Sequence, residues 1–234
     1  MQAMELIALL PWMDWLALLV FFGAWLGYAW YAQRGHQGGT TLLARTNRYR
    51  HYWLLQATSR DPRMLDGIIT QALSATPSFF SSTTIIIIGG LFALLGVTDR
   101  ANALVGEMPF SQPTPVMVFD LKVLLLVGIF IYAFFRFSWS MRVHTFVSLA
   151  IGAMPPASDF DEGKFDRKLH ARRASQLVGL AAEALNSGLR AYYMSFAVIG
   201  WFFSSTVFMV ATLLVVGVLY RREFQSDVLD VLTD

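Results

Sequence analysis

At 234 residues the chain has the length of one or two soluble domains, but 56% hydrophobic residues against 15% charged ones is not a soluble composition. The absence of Cys excludes disulfides, thiolate metal sites, iron–sulfur clusters and cysteine nucleophiles. Lys and Arg number 18 against 16 Asp and Glu, and a net charge of +2 gives no footing for a nucleic-acid partner, so the information lies in where the charges fall.

A helix needs about 20 mostly apolar residues to cross a hydrocarbon core roughly 30 Å thick. Four stretches meet that requirement, over residues 15–32, 77–97, 116–136 and 196–220. They predict an all-α polytopic membrane protein, a single membrane domain over 1–234, with amphipathic helices in the connections 33–76 and 137–195. Ahead of the first span stand Glu5 and Asp14 but no Lys or Arg, so the basic start of a secretory signal is missing and the span is expected to stay in the mature protein. Trp12 and Trp15 at one end, and Tyr28, Trp30 and Tyr31 at the other, suit the two interfacial layers.

Gly35, Gly38 and Gly39 set the first connection apart from that span. Thr41 is a candidate N-cap, and Leu42 to Gln56 mixes Arg with Leu, Tyr52 and Trp53 as an amphipathic helix lying on a membrane surface does. Asp61-Pro62 predicts a second helix start, with Leu65, Ile68, Ile69, Ala72 and Leu73 as its apolar face. After the second span comes a short Pro-rich loop around Pro109 to Pro115, then the third span. Pro155-Pro156 stops the helix that continues from it, Ser158 to Lys164 reads as an acidic turn, and Leu177, Leu180, Ala181, Ala184, Leu185 and Gly188 recur at helical spacing. No Pro separates this helix from the fourth span, and Ala184 and Gly188, four apart, permit close helix packing.

Basic residues near spans stay in the cytoplasm. Arg34, Arg45, Arg48, Arg50, Arg60 and Arg63 mark the first connection, and Arg142, Lys164, Arg167, Lys168, Arg172, Arg173 and Arg190 the third. With only Arg100 in the second connection, both termini and the Pro-rich loop are expected outside. Arg221 and Arg222 in the tail dissent from that orientation.

Asp120, Lys122 and Arg136 are ionisable residues in or at the edge of a span, where charge is costly and points by default to function. Asp120 and Lys122, two apart, face different ways, and interfacial anchoring or packing is favoured over permeation or ion sensing. The hydroxyls of the second span, Ser81 and Thr84 among Ser78, Ser82 and Thr83, either line a water-filled path or bond across helices, with packing favoured. Asn186 and Arg190 share a helix face with Glu183 just before the fourth span, as a solvated face, an ion pair or an anion patch. His36, His51, His144 and His170 lack ligand spacing, and no Walker loop, dinucleotide fingerprint, nucleophile elbow or paired carboxylates occur, so no metal, no cofactor and no catalytic residue is expected.

The strings Gly188-Leu189-Arg190-Ala191-Tyr192-Tyr193, Gly200-Trp201-Phe202 and Leu219-Tyr220-Arg221-Arg222-Glu223-Phe224, with Asp61-Pro62-Arg63, Ser82-Thr83 through Gly89-Gly90 and Phe137-Ser138-Trp139-Ser140-Met141-Arg142 in the same order, carry a resemblance over nearly the whole chain. The chain resembles an uncharacterised four-span membrane family of bacteria and plants, catalogued as domain of unknown function 599. The resemblance implies four spans and a bacterial inner membrane, and it supplies no activity. Arg142, Arg190 and Glu223 are the shared residues most worth mutating. Two functional classes follow: a homo-oligomeric, anion-favouring ion channel or small transporter, or a non-catalytic scaffold or assembly factor that binds lipid headgroups or an unidentified protein partner through its basic cytoplasmic helices. A lipid-modifying enzyme ranks below both, because only isolated His and Asp residues are available for chemistry.

Overall fold

The computed structural model describes residues 10–107 and 114–232, apart from the side chain of Gln37. Most of the Pro-rich loop expected around Pro109 to Pro115 lies outside the described residues, as does Glu5. Among the described residues every regular element is helical: α1 (Trp12–Gln37), α2 (Leu42–Ala57), α3 (Met64–Leu95), α4 (Thr98–Gly106), α5 (Val116–Gly152), α6 (Ala157–Asp161), α7 (Arg167–Trp201), α8 (Ser205–Phe224) and α9 (Asp227–Val231). Three of them, α1, α3 and α5, are long and apolar enough to cross a membrane.

The helix ends follow local chemistry. α1 stops where Gly39, at φ +76°, takes the left-handed position, with its N–H on His36 O and the Thr40 N–H on Gly35 O. Thr41 is the N-cap of α2 as expected, its hydroxyl accepting from Ala44 N at 3.2 Å. Asp166 caps α7, accepting from the N–H groups of Lys168 and Leu169 at 2.8 and 3.2 Å. Pro155-Pro156 lies just past the end of α5.

Several expectations need correction. The helix expected after Asp61-Pro62 and the span over 77–97 are one continuous α3, with Pro77 inside it. Its apolar face does not pack within the chain: Leu65 and Ile68 are 53% and 60% exposed, while a narrow stripe of Asp66, Thr70, Pro77, Ser81 and Thr84 is buried. α2 does not turn its apolar side to a surface, since Leu43, Leu54 and Ala57 are buried. The fourth expected span, 196–220, is not one helix. α7 ends at Trp201, the chain turns through Phe202, Phe203 and Ser204, and α8 begins at Ser205. Gly200 permits this turn because Val207 closes over it, so that a Cβ there would stand 3.2 Å from Val207 Cγ1; the Ser204 hydroxyl then accepts from Val207 N at 3.1 Å.

The chain divides into two compact units, and it passes five times from one to the other, at residues 34/35, 83/84, 133/134, 188/189 and 222/223. The first unit comprises Met1–Arg34, Thr84–Ala133 and Leu189–Arg222. Within it α8 runs beside α1 in the same direction: Ser205 meets Asp14, Phe208 meets Phe21 (ring centroids 5.1 Å apart), and Leu219 O accepts from the Tyr28 hydroxyl at 3.0 Å. α7 therefore reaches the Asp14 end, and α8 returns to the end where Tyr220 faces Tyr31 and Arg222 donates to the Tyr193 hydroxyl at 2.5 Å.

The second unit comprises Gly35–Thr83, Phe134–Gly188 and Glu223–Asp234. Its core is Leu54 and Ala57 of α2, Val147, Ile151 and Met154 from α5 and the chain just after it, and Ala174 and Val178 of α7. The tail joins this unit, with Phe224 against Gly35, the Glu223 carboxylate accepting from Leu43 N at 3.4 Å, and α9 packed on α2. Tail and first connection are neighbours, which does not fit an arrangement with them on opposite faces of a membrane. Gly188 is tightly covered: a Cβ there would meet the Phe137 ring at 2.5 Å, and Phe137, fully buried, is itself stacked on Phe80 at 5.3 Å. Gly188→Ala is expected to destabilise the protein by about 1–3 kcal/mol through overpacking. Thermal aggregation onset in detergent checks it, and an unchanged onset would show that the ring has room to yield.

Candidate functional site: a charged cluster at the helix break

Three residues that are far apart in sequence meet where α7 breaks. Asp14 lies in the first turn of α1, Lys122 two turns into α5, and Trp201 closes α7. Asp14 and Lys122 are 6% and 5% exposed, so both charges are withdrawn from solvent. Asp14 Oδ1 accepts from the Trp201 indole N–H at 2.6 Å and from the Ser205 hydroxyl. Lys122 Nζ donates to Trp201 O at 2.8 Å and stands 5.4 Å from the centroid of the same indole. The break frees that carbonyl from the helix ladder, and the lysine uses it.

The electrostatics are self-consistent. Ser205 opens α8, so the carboxylate of Asp14 sits at a helix N-terminus, where the unpaired N–H groups favour negative charge. The Lys122 ammonium nearby supplies the counter-charge that a buried carboxylate needs, and the indole between them donates to one and offers its π face to the other. Beside the cluster is a cavity of about 70 Å³ lined by Asp14, Lys122, Thr114, Ser204 and Ser205. That is room for one or two waters or a small ion.

Of the residues singled out in the sequence as candidate functional residues, the structure brings Lys122 into this cluster, beside the Ser204 and Ser205 hydroxyls of the expected fourth span. Asp120 points elsewhere, as two-residue spacing requires, and accepts from the Thr98 hydroxyl at 2.8 Å, tying the start of α4 to α5. Thr84 bonds the Tyr192 hydroxyl at 2.6 Å within the first unit, and Ser81 meets the Ser138 hydroxyl at 3.2 Å within the second. Both hydroxyls therefore serve helix packing. Arg136 donates to the Ser187 hydroxyl at 3.3 Å, while its Nε is buried with no partner among the described residues. Arg190 lies over the Tyr28 ring at 5.7 Å, and among the described residues no ion pair joins it to Glu183, so no Glu183–Asn186–Arg190 cluster forms. Asn186 is half-buried, Arg142 is exposed, and Glu223 adds a second acceptor at the N-terminus of α2.

Asp14 and Trp201 escape a sequence reading that treats the first as a missing basic residue and the second as part of a span. The available signal is an acid within an apolar run. A second constellation is equally hidden. Arg63 donates to three carbonyls, Ala57 O at 3.0 Å, Met154 O at 3.1 Å and Pro155 O at 2.5 Å, joining the end of α2 to the chain after α5. Asp66, fully buried, accepts from the Trp53 indole at 2.8 Å and pairs with Arg60 at 2.5 Å. In α2, burial of the Arg50 guanidinium holds its pKa below the ordinary value, because desolvation penalises the charged form. On the exposed turn after α6 the pKa of Lys164 is raised by Glu162 and Asp159, which bond its ammonium.

Among the described residues the architecture is all-helical, and three helices are long and apolar enough to cross a membrane, which is compatible with a helical membrane protein. The profile of the family described as "Protein of unknown function, DUF599" matches residues 16–228, and the chain belongs to that family. No curated protein and no solved structure shows significant similarity to it.

Proposed function

We propose that the chain is a non-catalytic membrane-anchored scaffold that displays a helical body on the cytoplasmic side. The carrying observation is helix length combined with exposure. α3, α5 and α7 have 32, 37 and 35 residues, about 48, 55 and 52 Å at a rise of about 1.5 Å per residue, against a hydrocarbon core of roughly 30 Å. Each extends well beyond that core, and at the start of α3 Leu65, Ile68 and Leu73 remain uncovered within the chain. A bacterial inner membrane is the expected setting. In this reading the basic connections are cytoplasmic, and the tail goes with them because it packs on α2. The amino terminus alone is then outside, α7 and α8 form the two arms of a hairpin, and Arg221 and Arg222 join the other cytoplasmic cations instead of dissenting.

A photo-crosslinking residue at Ile68 tests the scaffold. In native membranes it is expected to yield one discrete product heavier than the monomer, and the product should disappear with Leu65→Glu. Absence of any crosslink at this position sinks the reading, and a product of twice the chain mass identifies the partner as a second copy. The homo-oligomeric, anion-favouring channel or small transporter is the second reading, favoured by the exposed hydroxyls of Ser78 and Ser82 on α3, the least buried of the three apolar helices. It requires a ring of chains, because Ser81 and Thr84 are engaged in packing. A monomeric particle in mild detergent together with absent chloride flux in liposomes removes it.

A further inference from the structure

In the second unit α3 and α5 run side by side and leave a groove between them. Ser81 and Ser138 bond across it and close one end. Beyond that contact the groove has a volume of about 280 Å³, with Ser74 and Ser78 on the α3 wall and Thr145 and Ser148 on the α5 wall. Its floor is His144, 5% exposed, whose Nδ1 is committed to Ser140 O at 2.9 Å; that carbonyl can only accept, so Nε2 is the ring nitrogen left for the groove. Met141 and Thr145 also line an adjoining open depression of about 530 Å³, whose other walls are Phe135, Trp139 and Arg142.

The lining contains hydroxyls on both sides, an imidazole and one guanidinium, and no carboxylate. Among the described residues Arg142 has no acidic side chain in ion-pair reach. Ser74, Thr145 and Ser148 donate their hydroxyl protons to Gln71 O, Met141 O and His144 O of their own helices, which leaves the guanidinium as the principal donor. An exposed Arg with no acidic side chain in reach is a binding arrangement for a tetrahedral oxyanion, since the planar fork gives two parallel N–H groups. Depth selects the source of the oxyanion. From Val116 to Arg142 α5 rises about 39 Å, close to the roughly 40–45 Å of a bilayer with its headgroups. Phe135 and Trp139, 64% and 50% exposed, precede Arg142 on the same helix, where acyl chains give way to headgroups.

We infer that the α3–α5 groove binds the phosphate of a membrane phospholipid, with Arg142 as its charged ligand, the Ser78 hydroxyl as a hydrogen-bond partner, and Trp139 against the glycerol and upper acyl region. This uses the scaffold reading only to set the groove at the inner headgroup layer.

The test uses the full chain, delipidated in a maltoside detergent that carries no phosphate. It is titrated with dioleoyl phosphatidylglycerol, with dioleoylglycerol, which is that lipid without its phosphate, and with sodium phosphate, and bound lipid per chain is counted by native mass spectrometry. The expected result is one phosphatidylglycerol per chain, no retained dioleoylglycerol and no displacement by millimolar phosphate. Arg142→Gln should weaken retention about tenfold or more, Arg142→Lys should restore part of it, and Arg48→Gln, at another exposed cation of this unit, should leave it unchanged. Equal retention by Arg142→Gln, or equal retention of dioleoylglycerol, overturns the site. Displacement by sodium phosphate at the lipid's own concentration overturns the lipid assignment in favour of soluble phosphate. The Ile68 crosslink reads a different surface, so its failure and the failure of this titration are distinguishable.

Discussion

Asp14→Ala is expected to destabilise the protein by about 3 kcal/mol, the cost of taking a charged acceptor away from two hydrogen-bond donors at a buried site. The substitution leaves the Lys122 ammonium buried without its counter-charge and strips the acceptor from the Trp201 indole and the Ser205 hydroxyl together. It also removes the anion from the N-terminus of α8, so the α7–α8 hairpin should loosen at its turn. Lys122→Met should be damaging for the mirror-image reason, because it leaves the carboxylate alone. The double change Asp14→Ala with Lys122→Met should cost less than the sum of the two, since it removes both charges from the low-dielectric site. Thermal and SDS unfolding of the purified variants measures all three. If Asp14→Ala unfolds with wild-type protein, or the two effects simply add, the cluster is not an electrostatic unit.

Arg63→Ala is expected to be the second large loss, about 3 kcal/mol, because one guanidinium holds three carbonyls at two helix ends. Carbonyls at helix C-termini carry partial negative charge and have no intrahelical donor, so a cation there satisfies hydrogen bonds and dipoles at once. Arg63→Lys should recover only a fraction, since a single ammonium cannot span the three acceptors that the planar fork reaches. Hydrogen exchange of the backbone amides in the α2–α3 turn and proteolysis near Pro155-Pro156 read the effect directly. Unchanged protection in Arg63→Ala would mean that the core of Leu54, Val147 and Val178 holds these helix ends without the clamp.

The helical class, three of the apolar helices, the cap at Thr41, the stop at Pro155-Pro156 and the close approach at Gly188 were all legible, because each rests on neighbours within a few residues or on a run of one polarity. The break at Phe202–Ser204 was not. A hydropathy window averages across a turn whose residues are themselves apolar, and the Gly200 and Ser204 that make the turn are residues that transmembrane helices also tolerate. Asp14 was passed over for a related reason: a charge near the end of an apolar run looks interfacial until a second helix end comes to meet it. For Ser81 and Thr84 the sequence favours packing over a water path, and in the structure they bond Ser138 and Tyr192.

By itself the sequence determined the class of protein, where apolar helices could lie and where basic residues gather, because transfer of a helix into lipid depends on composition summed along one segment. Tertiary structure decided the rest. It made α3 one helix where two were expected, split the last apolar stretch into the two arms of a hairpin, brought the tail back onto α2, and joined Asp14, Lys122 and Trp201 across more than 180 residues of chain. Those outcomes turn on which side chains from distant segments satisfy one another once water is excluded, and that pairing has no local signature.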